Sequence, residues 1–417
     1  MMKDPNDTVE ILNTRCCIAG GGPAEMMLGF LLARAGVEVL VLEKHADFFR
    51  DFRGDTIHPS TLEVMYDLNL LDEFLKQPHQ EVQQLSVEIG NATTTVIDFT
   101  HLPTHSKFIA FMPQWNFLNF IAASAKRYPS FHLRMETEVK GLIFADDRVI
   151  GVRATTSTGA LEVHCDLIIG ADGRHSTVRE KAGMHIMELG APMDVLWMPL
   201  SRRPSDPGQG FLRMDYGKIL VMIDRGDYFQ CGLIIPKGGL GEAQQRGLTA
   251  LRDDLALLVP FMRDRLTEIH DWSDVHVLTV MVDRLRRWFR PGLLCIGDAA
   301  HAMSPIGGVG INLAIQDAVA AANILAEPLR QSTISTEHLH KVQRRRELPT
   351  RIIQRCQILI QNQVIWRVLK TNEQMSLPLP VRLLGAWPTL RRIPGYLIGN
   401  GFRPEHVQTP DLGTPLS

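Results

Sequence analysis

A glycine-rich turn near the start of the chain could bind the phosphates of a dinucleotide. Gly20 and Gly22 follow a short apolar run, and Pro23 and Ala24 then open a stretch with helical apolar spacing. Gly20 permits a tight turn, Gly22 lets the backbone approach a pyrophosphate, and the helix N-terminus supplies positive potential. Glu43 lies about twenty residues further on, where a carboxylate can accept hydrogen bonds from ribose hydroxyls. This spacing predicts a dinucleotide site.

The third position of this turn departs from the usual pattern. A glycine there lets helix and strand pack closely, and this chain has Glu25 instead. A carboxylate suits the first turn of a helix, yet near a pyrophosphate it would repel the ligand and resist burial. Two interpretations stay open: a phosphate turn that tolerates Glu25, or a glycine turn that only begins a helix.

Two later blocks repeat the combination of an apolar strand, an acidic residue and glycine. Residues 166–179 are a strand ending in Asp172, with Ser176 placed to cap the helix that follows. Residues 294–312 are a strand whose end presents Asp298, followed by a glycine-rich loop and a helix. Together the blocks favour nucleotide binding over an ordinary helix start.

The blocks require parallel strands and helices to position them. Residues 15–19, 23–35 and 37–42 follow a βαβ pattern, and apolar strands are expected at 161–169 and 293–296. The sequence therefore predicts an α/β fold built around a nucleotide-binding sheet.

The middle and the end of the chain have other patterns. Residues 184–282 alternate like antiparallel strands, which predicts a separate β-sheet laid over the nucleotide fold. Residues 310–327 and 342–370 have helical spacing, and the Pro-rich segment after the second helix has no assigned packing.

Composition restricts the partners. The 417 residues carry a formal charge of -2, which provides no field to attract nucleic acid or an anionic membrane, so a small molecule is the expected partner. The six cysteines lack metal-site spacing and are expected to be buried free thiols, and no metal is predicted. The longest apolar stretch, 26–42, contains Arg34 and Glu38 and is no ordinary membrane span; with no secretory signal visible, the cytoplasm is expected.

All three blocks, in this order, resemble the group A FAD-dependent monooxygenases of the para-hydroxybenzoate hydroxylase family. The similarity covers residues 15 to about 347. It implies a Rossmann-like FAD-binding domain of the glutathione-reductase type, an inserted mixed β-sheet substrate domain and a C-terminal helical segment. The corresponding boundaries are 1–75, 101–183 and 284–345 for the first, 76–100 and 184–283 for the second, and 346–417 for the third.

The resemblance also implies roles for individual residues. Asp298 would bind the ribityl hydroxyls, Asp172 would join the cofactor site, Arg53 would lie beside the flavin phosphates, and Gln114 near the ribityl chain. The residues expected along the isoalloxazine ring are Pro305, Gly307, Gly308, Gly310, Ile311 and Asn312. His58 and His301 are interpreted as structural, and Met26, Met27, Trp197 and Met222 as core.

In the implied reaction, NADPH or NADH reduces FAD, O2 adds to give a C4a-hydroperoxide, and an electron-rich substrate attacks the distal oxygen. No nucleophilic triad is expected, and no second glycine motif for the nicotinamide is visible. Catalytic side chains are not assigned beyond the flavin-facing loop of Pro305, Gly307 and Gly308.

The substrate is expected to be an aromatic small molecule lying between the flavin loop and the middle sheet. No counterpart of a phenol-activating tyrosine is found among five tyrosines, so a larger aromatic, indole or polyketide-like molecule is at least as consistent as a benzoate. Hydroxylation, Baeyer-Villiger insertion and epoxidation all stay open. So do a homodimer, a reductase or halogenase of the same fold, and an accessory protein that binds FAD weakly because of Glu25.

Overall fold

The computed structural model of the chain describes residues 9–49, 56–207, 211–371 and 373–412. Its strands, in chain order, are β1 (Glu10–Ala19), β2 (Val39–Leu42), β3 (Thr56–Ile57), β4 (Gln80–Val82), β5 (Gln84–Ile89), β6 (Ala92–Asp98), β7 (Ile109–Phe111), β8 (Phe131–Arg134), β9 (Glu138–Ala145), β10 (Arg148–Thr156), β11 (Gly159–Gly170), β12 (Ile186–Glu188), β13 (Met193–Ser201), β14 (Phe211–Asp215), β15 (Lys218–Asp224), β16 (Tyr228–Pro236), β17 (His276–Leu278), β18 (Asp283–Leu285), β19 (Phe289–Arg290) and β20 (Leu293–Cys295).

The α-helices of these ranges are α1 (Pro23–Arg34), α2 (Pro59–Asp67), α3 (Leu71–Phe74), α4 (Gln114–Ala125), α5 (Thr177–Lys181), α6 (Leu240–Leu258), α7 (Gly310–Arg330), α8 (Thr336–Ile360), α9 (Trp366–Leu369), α10 (Leu379–Ala386) and α11 (Arg392–Gly399). Short 3-10 helices lie at Pro260–Glu268, Trp272–Asp274, Gly297–Ala299, Ile306–Gly308 and Pro388–Arg391, and a π-helical turn lies at Gln361–Ile365.

One sheet gathers the ends of the motif strands. Its order is β19-β20-β11-β1-β2-β8, with β10 and β9 extending from β11 as an antiparallel ribbon. The pairs β1–β2, β1–β11 and β11–β20 are parallel, and their register aligns Ala19 with Leu42 and Gly170, and Gly170 with Cys295. The loops that follow these four residues therefore leave the sheet at the same edge, which confirms the α/β fold.

Continuous burial explains why these strands form. All four residues of β2 and the last four of β1 are buried, as expected for parallel strands covered on both faces. Helix α1 is buried at ten of its twelve positions and packs against α4 and α7. Among the described residues, the helical stretch Ile306–Arg330 is long and apolar enough to cross a membrane, but 72% of its apolar window is buried inside the fold.

The second sheet has the order β17-β13-β16-β15-β14-β5-β6. It joins β5 and β6 to strands of the 184–283 segment through the parallel pair β14–β5. The pattern of 184–282 predicted strands alone, and this was incomplete because α6 and the 3-10 helix Pro260–Glu268 interrupt it. The apolar side chains Leu251, Leu255 and Met262 of these helices pack in one core with residues of β13, β15 and β16. The division into domains stays a prediction.

The described C-terminal segment forms three short α-helices after α8, namely α9, α10 and α11. Helix α8 continues through the π-helical turn into α9, and α10 and α11 then pack on β6. Gly395 allows this close approach, because a Cβ there would lie 2.1 Å from the carbonyl oxygen of Asp98. No packing was predicted for this segment from the sequence.

Candidate functional site

A cavity of about 1680 Å³ runs from the glycine turn to the second sheet. Pockets for drug-sized ligands occupy about 300–1,000 Å³, so this cavity can hold a dinucleotide and a second molecule. Its lining includes the expected site residues Gly20, Gly22, Pro23, Ala24, Glu43, Gln114, Asp172, Asp298, Pro305, Gly307, Gly308, Gly310 and Ile311. Arg53 lies outside the described residues, and Asn312 lies outside this lining.

The glycine turn begins α1 as the sequence predicts. Gly20 has a φ of 110°, a conformation that favours glycine, and Gly22 is the N-cap residue with Pro23 at the first helical position. The Gly21 N–H donates to Oε2 of Glu43 at 2.8 Å, and the His45 N–H donates to Oε1 at 2.9 Å. Glu43 thus holds the turn through hydrogen bonds while lining the cavity.

Glu25 occupies part of the turn. A Cβ placed on Gly20 would lie 2.7 Å from its Oε1, and a Cβ on Gly22 would lie 3.0 Å from its Oε2. The residue is 6% exposed. Burial raises the pKa of Glu25 well above its usual range, the carboxylates of Glu43 and Asp172 raise it further, and nearby backbone N–H groups oppose the rise. Burial therefore favours the neutral form of this carboxyl.

Asp172 is held mainly by the start of α5, the helix that follows it. Its carboxylate accepts hydrogen bonds from the Ser176 hydroxyl and, at 3.1 Å, from the Val178 N–H. Ser176 in turn accepts from the Arg179 N–H at 2.9 Å, which confirms the predicted cap of α5. Burial raises the pKa of Asp172, and the hydrogen bonds from Ser176 and Val178 act against it. Asp172 also lines the cavity.

Asp298 reaches the cavity from a 3-10 turn after β20. Its side chain is half-buried and lies 3.5 Å from a guanidinium nitrogen of Arg174. The preceding residue, Gly297, donates its N–H to Asp317 at 3.2 Å. Asp317 also bonds His301 at 2.6 Å and Arg346 at 2.9 Å, all in the core. This buried network fixes the segment that presents Asp298, and it accounts for His301 without a catalytic role.

The glycine-rich loop before α7 lies against β3. Gly307 and Gly308 have φ values of 76° and 61°, in the left-handed region. A Cβ on Gly308 would lie 2.3 Å from Oγ1 of Thr56, which donates to the Gly308 carbonyl at 3.0 Å. Only a glycine allows this contact, and Gly307 and Gly308 both line the cavity.

Asn312 supports that loop from behind. Its amide donates to the carbonyls of Thr56 and Gly308 at 3.1 and 3.2 Å, and its Oδ1 accepts from the His58 N–H and the Thr61 hydroxyl at 2.8 and 2.7 Å. These bonds occupy the side chain of Asn312, and the residue does not line the cavity. Its place along the ring stays a prediction.

His58 is also structural in its surroundings. It is fully buried, and its Nδ1 lies 2.8 Å from the carbonyl oxygen of Ile398 in α11. Burial lowers its pKa to about 4, so the ring is neutral near pH 7. This contact ties the start of α2 to the C-terminal helices.

The far half of the cavity is apolar. The walls from the second sheet and the C-terminal segment include Val87, Met193, Val195, Trp197, Leu212, Met214, Val221, Met222, Ile234, Val364, Val368, Val381, Leu384 and Ile398. Trp197 and Met222, interpreted from sequence as core, are buried and also line the cavity. None of the five tyrosines, all of which the structure describes, lines it. The alternation of residues along β13 and β15 was the sequence signal that could have indicated these cavity-lining positions.

The fold and this cavity define a dinucleotide-binding α/β protein with an adjoining apolar site. Residues 13–356 match the family model described as FAD binding domain. The chain is 32% identical over 361 residues to 6-methylpretetramide 4-monooxygenase of Streptomyces rimosus, covering 86% of each chain. It is 27% identical over 315 residues to rifampicin monooxygenase of Streptomyces venezuelae, covering 72% of this chain and 61% of that protein. The fold resembles p-nitrophenol 4-monooxygenase of Pseudomonas putida DLL-E4, with a TM-score of 0.75, 19% identity and coverage of 95% and 100% of the two chains.

The chain therefore belongs to the group A FAD-dependent monooxygenases. It is an oxidoreductase of this class, as the sequence motifs indicated.

The residues present fit FAD with one obstacle. The glycine-rich loop with Gly308 lines the cavity, and the turn at Gly20 and Gly22 leads to a helix N-terminus. Glu25 is the obstacle, because its carboxyl lies against Gly20 and Gly22 and the residue lines the cavity.

Proposed function

We propose that the protein uses NADPH or NADH and O2 to insert one oxygen atom into an apolar, polycyclic aromatic molecule. The observation that carries this proposal is the single cavity that joins the glycine turn to an apolar wall. The relatives named for 6-methylpretetramide and rifampicin support a polyketide-like substrate class. A cytoplasmic location and the domain boundaries set out from the sequence belong to the same proposal.

The chain's residues would divide the work of holding FAD. Gly20, Gly22, Pro23 and Ala24 would face the diphosphate, Glu43 the ribose, and Asp298 the ribityl chain, with Gln114, Asp172 and Arg53 nearby. Pro305, Gly307, Gly308, Gly310 and Ile311 would lie beside the ring, with Asn312 supporting them. FAD, once reduced by the nicotinamide, supplies the activation of O2.

The apolar wall would orient the substrate and exclude water. A reactive flavin–oxygen system requires a dry site, and the strands β13 to β16 together with α9 to α11 enclose this one with aliphatic side chains. Because no tyrosine reaches the cavity from the described chain, activation of a simple phenol by a tyrosine is not supported. The substrate must then be electron-rich by itself.

The test is substrate-dependent oxidation of NADPH and NADH, with incorporation of isotopically labelled O2 followed by mass spectrometry. Apolar polycyclic aromatics are expected to stimulate nicotinamide oxidation and the incorporation of labelled oxygen. Simple benzoates are expected to stimulate neither reaction. Val221→Glu, which places a charge on the half-buried cavity wall, should raise KM for the polycyclic substrate. The matched control Val277→Glu, on the exposed edge strand β17, should leave it unchanged. Turnover of benzoates alone, or oxidation without labelled product, would overturn the proposal.

A further inference from the structure

Helices α10 and α11 expose an unusual number of large apolar side chains. We call residues 379–399 the C-terminal hairpin. Five of the 18 exposed large hydrophobic residues lie in this stretch of 21. They are Leu379 (66% exposed), Leu383 (37%), Trp387 (57%), Ile393 (63%) and Tyr396 (47%). Such a concentration on a described surface marks an interaction site rather than ordinary scatter.

The exposed residues share one side of the hairpin. Leu379, Leu383 and Trp387 recur at intervals of four, and Ile393 and Tyr396 at three, so each set follows one helix face. The opposite faces lie on β6: a Cβ on Gly385 would lie 2.6 Å from Oγ1 of Thr94, and one on Gly395 2.1 Å from the Asp98 carbonyl. The outer faces of both helices therefore point away from the same strand.

The inner face of the hairpin is apolar as well. Val381, Leu384, Pro394 and Ile398 line the large cavity from this side. The hairpin is thus a wall, one helix thick, with aliphatic residues toward the cavity and toward the outside.

The charged residues of this region are all basic. From residue 374 to residue 404 the chain carries four arginines and no acidic residue, although the whole chain has a formal charge of -2. Arg382 and Arg392 are exposed and form no ion pair with any described residue. Arg391 donates instead to the carbonyls of Leu384 and Gly385 at 2.7 and 2.6 Å and closes the hairpin.

We propose that the C-terminal hairpin docks on the headgroup surface of an anionic lipid bilayer. Exposed aliphatic residues, a tryptophan and a tyrosine among them, and exposed arginines that form no ion pair with a described residue are the combination that binds a membrane interface. Each helix has eight residues and is about 12 Å long, too short to cross a hydrocarbon core of about 30 Å. A two-fold contact between copies would bring the arginines of both hairpins together, which disfavours a second copy as the occupant.

Docking would place the apolar cavity beside the bilayer. An apolar substrate concentrates in lipid, so it could reach the cavity past the hairpin without crossing water. This consequence rests on the proposed function, whereas the docking does not.

The experiment is vesicle flotation of the full chain without substrate or nicotinamide. Phosphatidylcholine vesicles are compared with vesicles that also contain phosphatidylglycerol. The protein is expected to float with the anionic vesicles and to be released by high salt. Trp387→Asp combined with Ile393→Asp should lower binding at least about tenfold, because two exposed anchors are lost. Arg382→Glu with Arg392→Glu should remove the preference for anionic lipid.

Ile11→Asp is the control, because Ile11 is 60% exposed on β1 of the other sheet; its binding should equal that of the unchanged chain. Absence of flotation, equal binding to both vesicles, or unchanged binding of the double aspartate variant would overturn the proposal. A dimer in light scattering that the aspartate variant dissociates would overturn it in favour of a second copy. Since flotation needs no turnover, a failure of the monooxygenase assay leaves this result intact.

Discussion

The carboxyl of Glu25 lies against Gly20, so that a Cβ on Gly20 would come within 2.7 Å of Oε1. The turn that should be open to a diphosphate is thus partly filled by a side chain of its own helix. The sequence suggested charge repulsion as the cost of Glu25. The raised pKa adds to this account, because burial favours the neutral form of the carboxyl, and a neutral carboxyl would obstruct the turn mainly by its volume.

Glu25→Gly is expected to tighten FAD binding by about tenfold. Removing a buried carboxyl from the turn relieves roughly 1–3 kcal/mol of crowding and desolvation, while glycine in the helix costs about 1 kcal/mol of stability. Quenching of flavin fluorescence on titration of FAD measures the affinity. Unchanged or weaker affinity in the glycine variant would mean that Glu25 does not obstruct the ligand.

The substitution Glu25→Gln keeps the volume of the side chain and removes its ability to ionise, so the pH dependence of stability distinguishes the two effects. A carboxyl whose pKa is raised in the folded chain binds more protons folded than unfolded, so the free energy of unfolding falls as pH rises from the usual value of 4.5 towards the raised one. Glutamine cannot ionise, so the free energy of unfolding of this variant should decrease less as pH rises. Its FAD affinity should also depend less on pH. Chemical denaturation of both proteins across this window is the measurement. Parallel curves would show that Glu25 titrates normally.

Gly308→Ala should destabilise the flavin loop. The added Cβ would lie 2.3 Å from Thr56 Oγ1 at a φ of 61°, which costs about 1–3 kcal/mol. Gly310→Ala is the matched control two residues later, where the nearest neighbour, the Cβ of Met303, would be 3.8 Å away. Thermal unfolding should show a lower Tm for the first variant alone. Equal Tm values would contradict the close contact.

Asp317→Asn should destabilise the chain by about 3 kcal/mol. Burial alone would raise the pKa of Asp317, but His301 and Arg346 hold it below its usual value, so the ionised form supports both partners. Glu327→Gln, in the exposed pair with Arg330, should cost less than about 1 kcal/mol. Urea denaturation compares the two, and a small loss for Asp317→Asn would show that the network contributes little.

The sequence predicted the parts of the site that depend on local pattern. Gly20, Asp172 and Asp298 each follow an apolar strand, and parallel pairing brings strand ends to one edge. Ser176 could be assigned as a cap from its position alone. These inferences need only neighbours along the chain.

Features that depend on distant contacts escaped prediction. Asn312 turns toward His58 and Thr61, more than 250 residues earlier in the chain, and no local pattern encodes that direction. Trp197 looks like a core residue because it is buried, and only the sheet shows that it borders a cavity. Helices α10 and α11 carry apolar residues on more than one face, so the sequence does not indicate which face packs on β6, and the structure was needed to show it.

The most direct measurement is the visible absorption spectrum of the purified protein, recorded after reconstitution with FAD and again after NADPH or NADH is added under air. We predict flavin bands that bleach on reduction and return as oxygen is consumed. A colourless protein that does not take up FAD, even as the Glu25→Gly variant, would contradict the assignment of this cavity as a working flavin site.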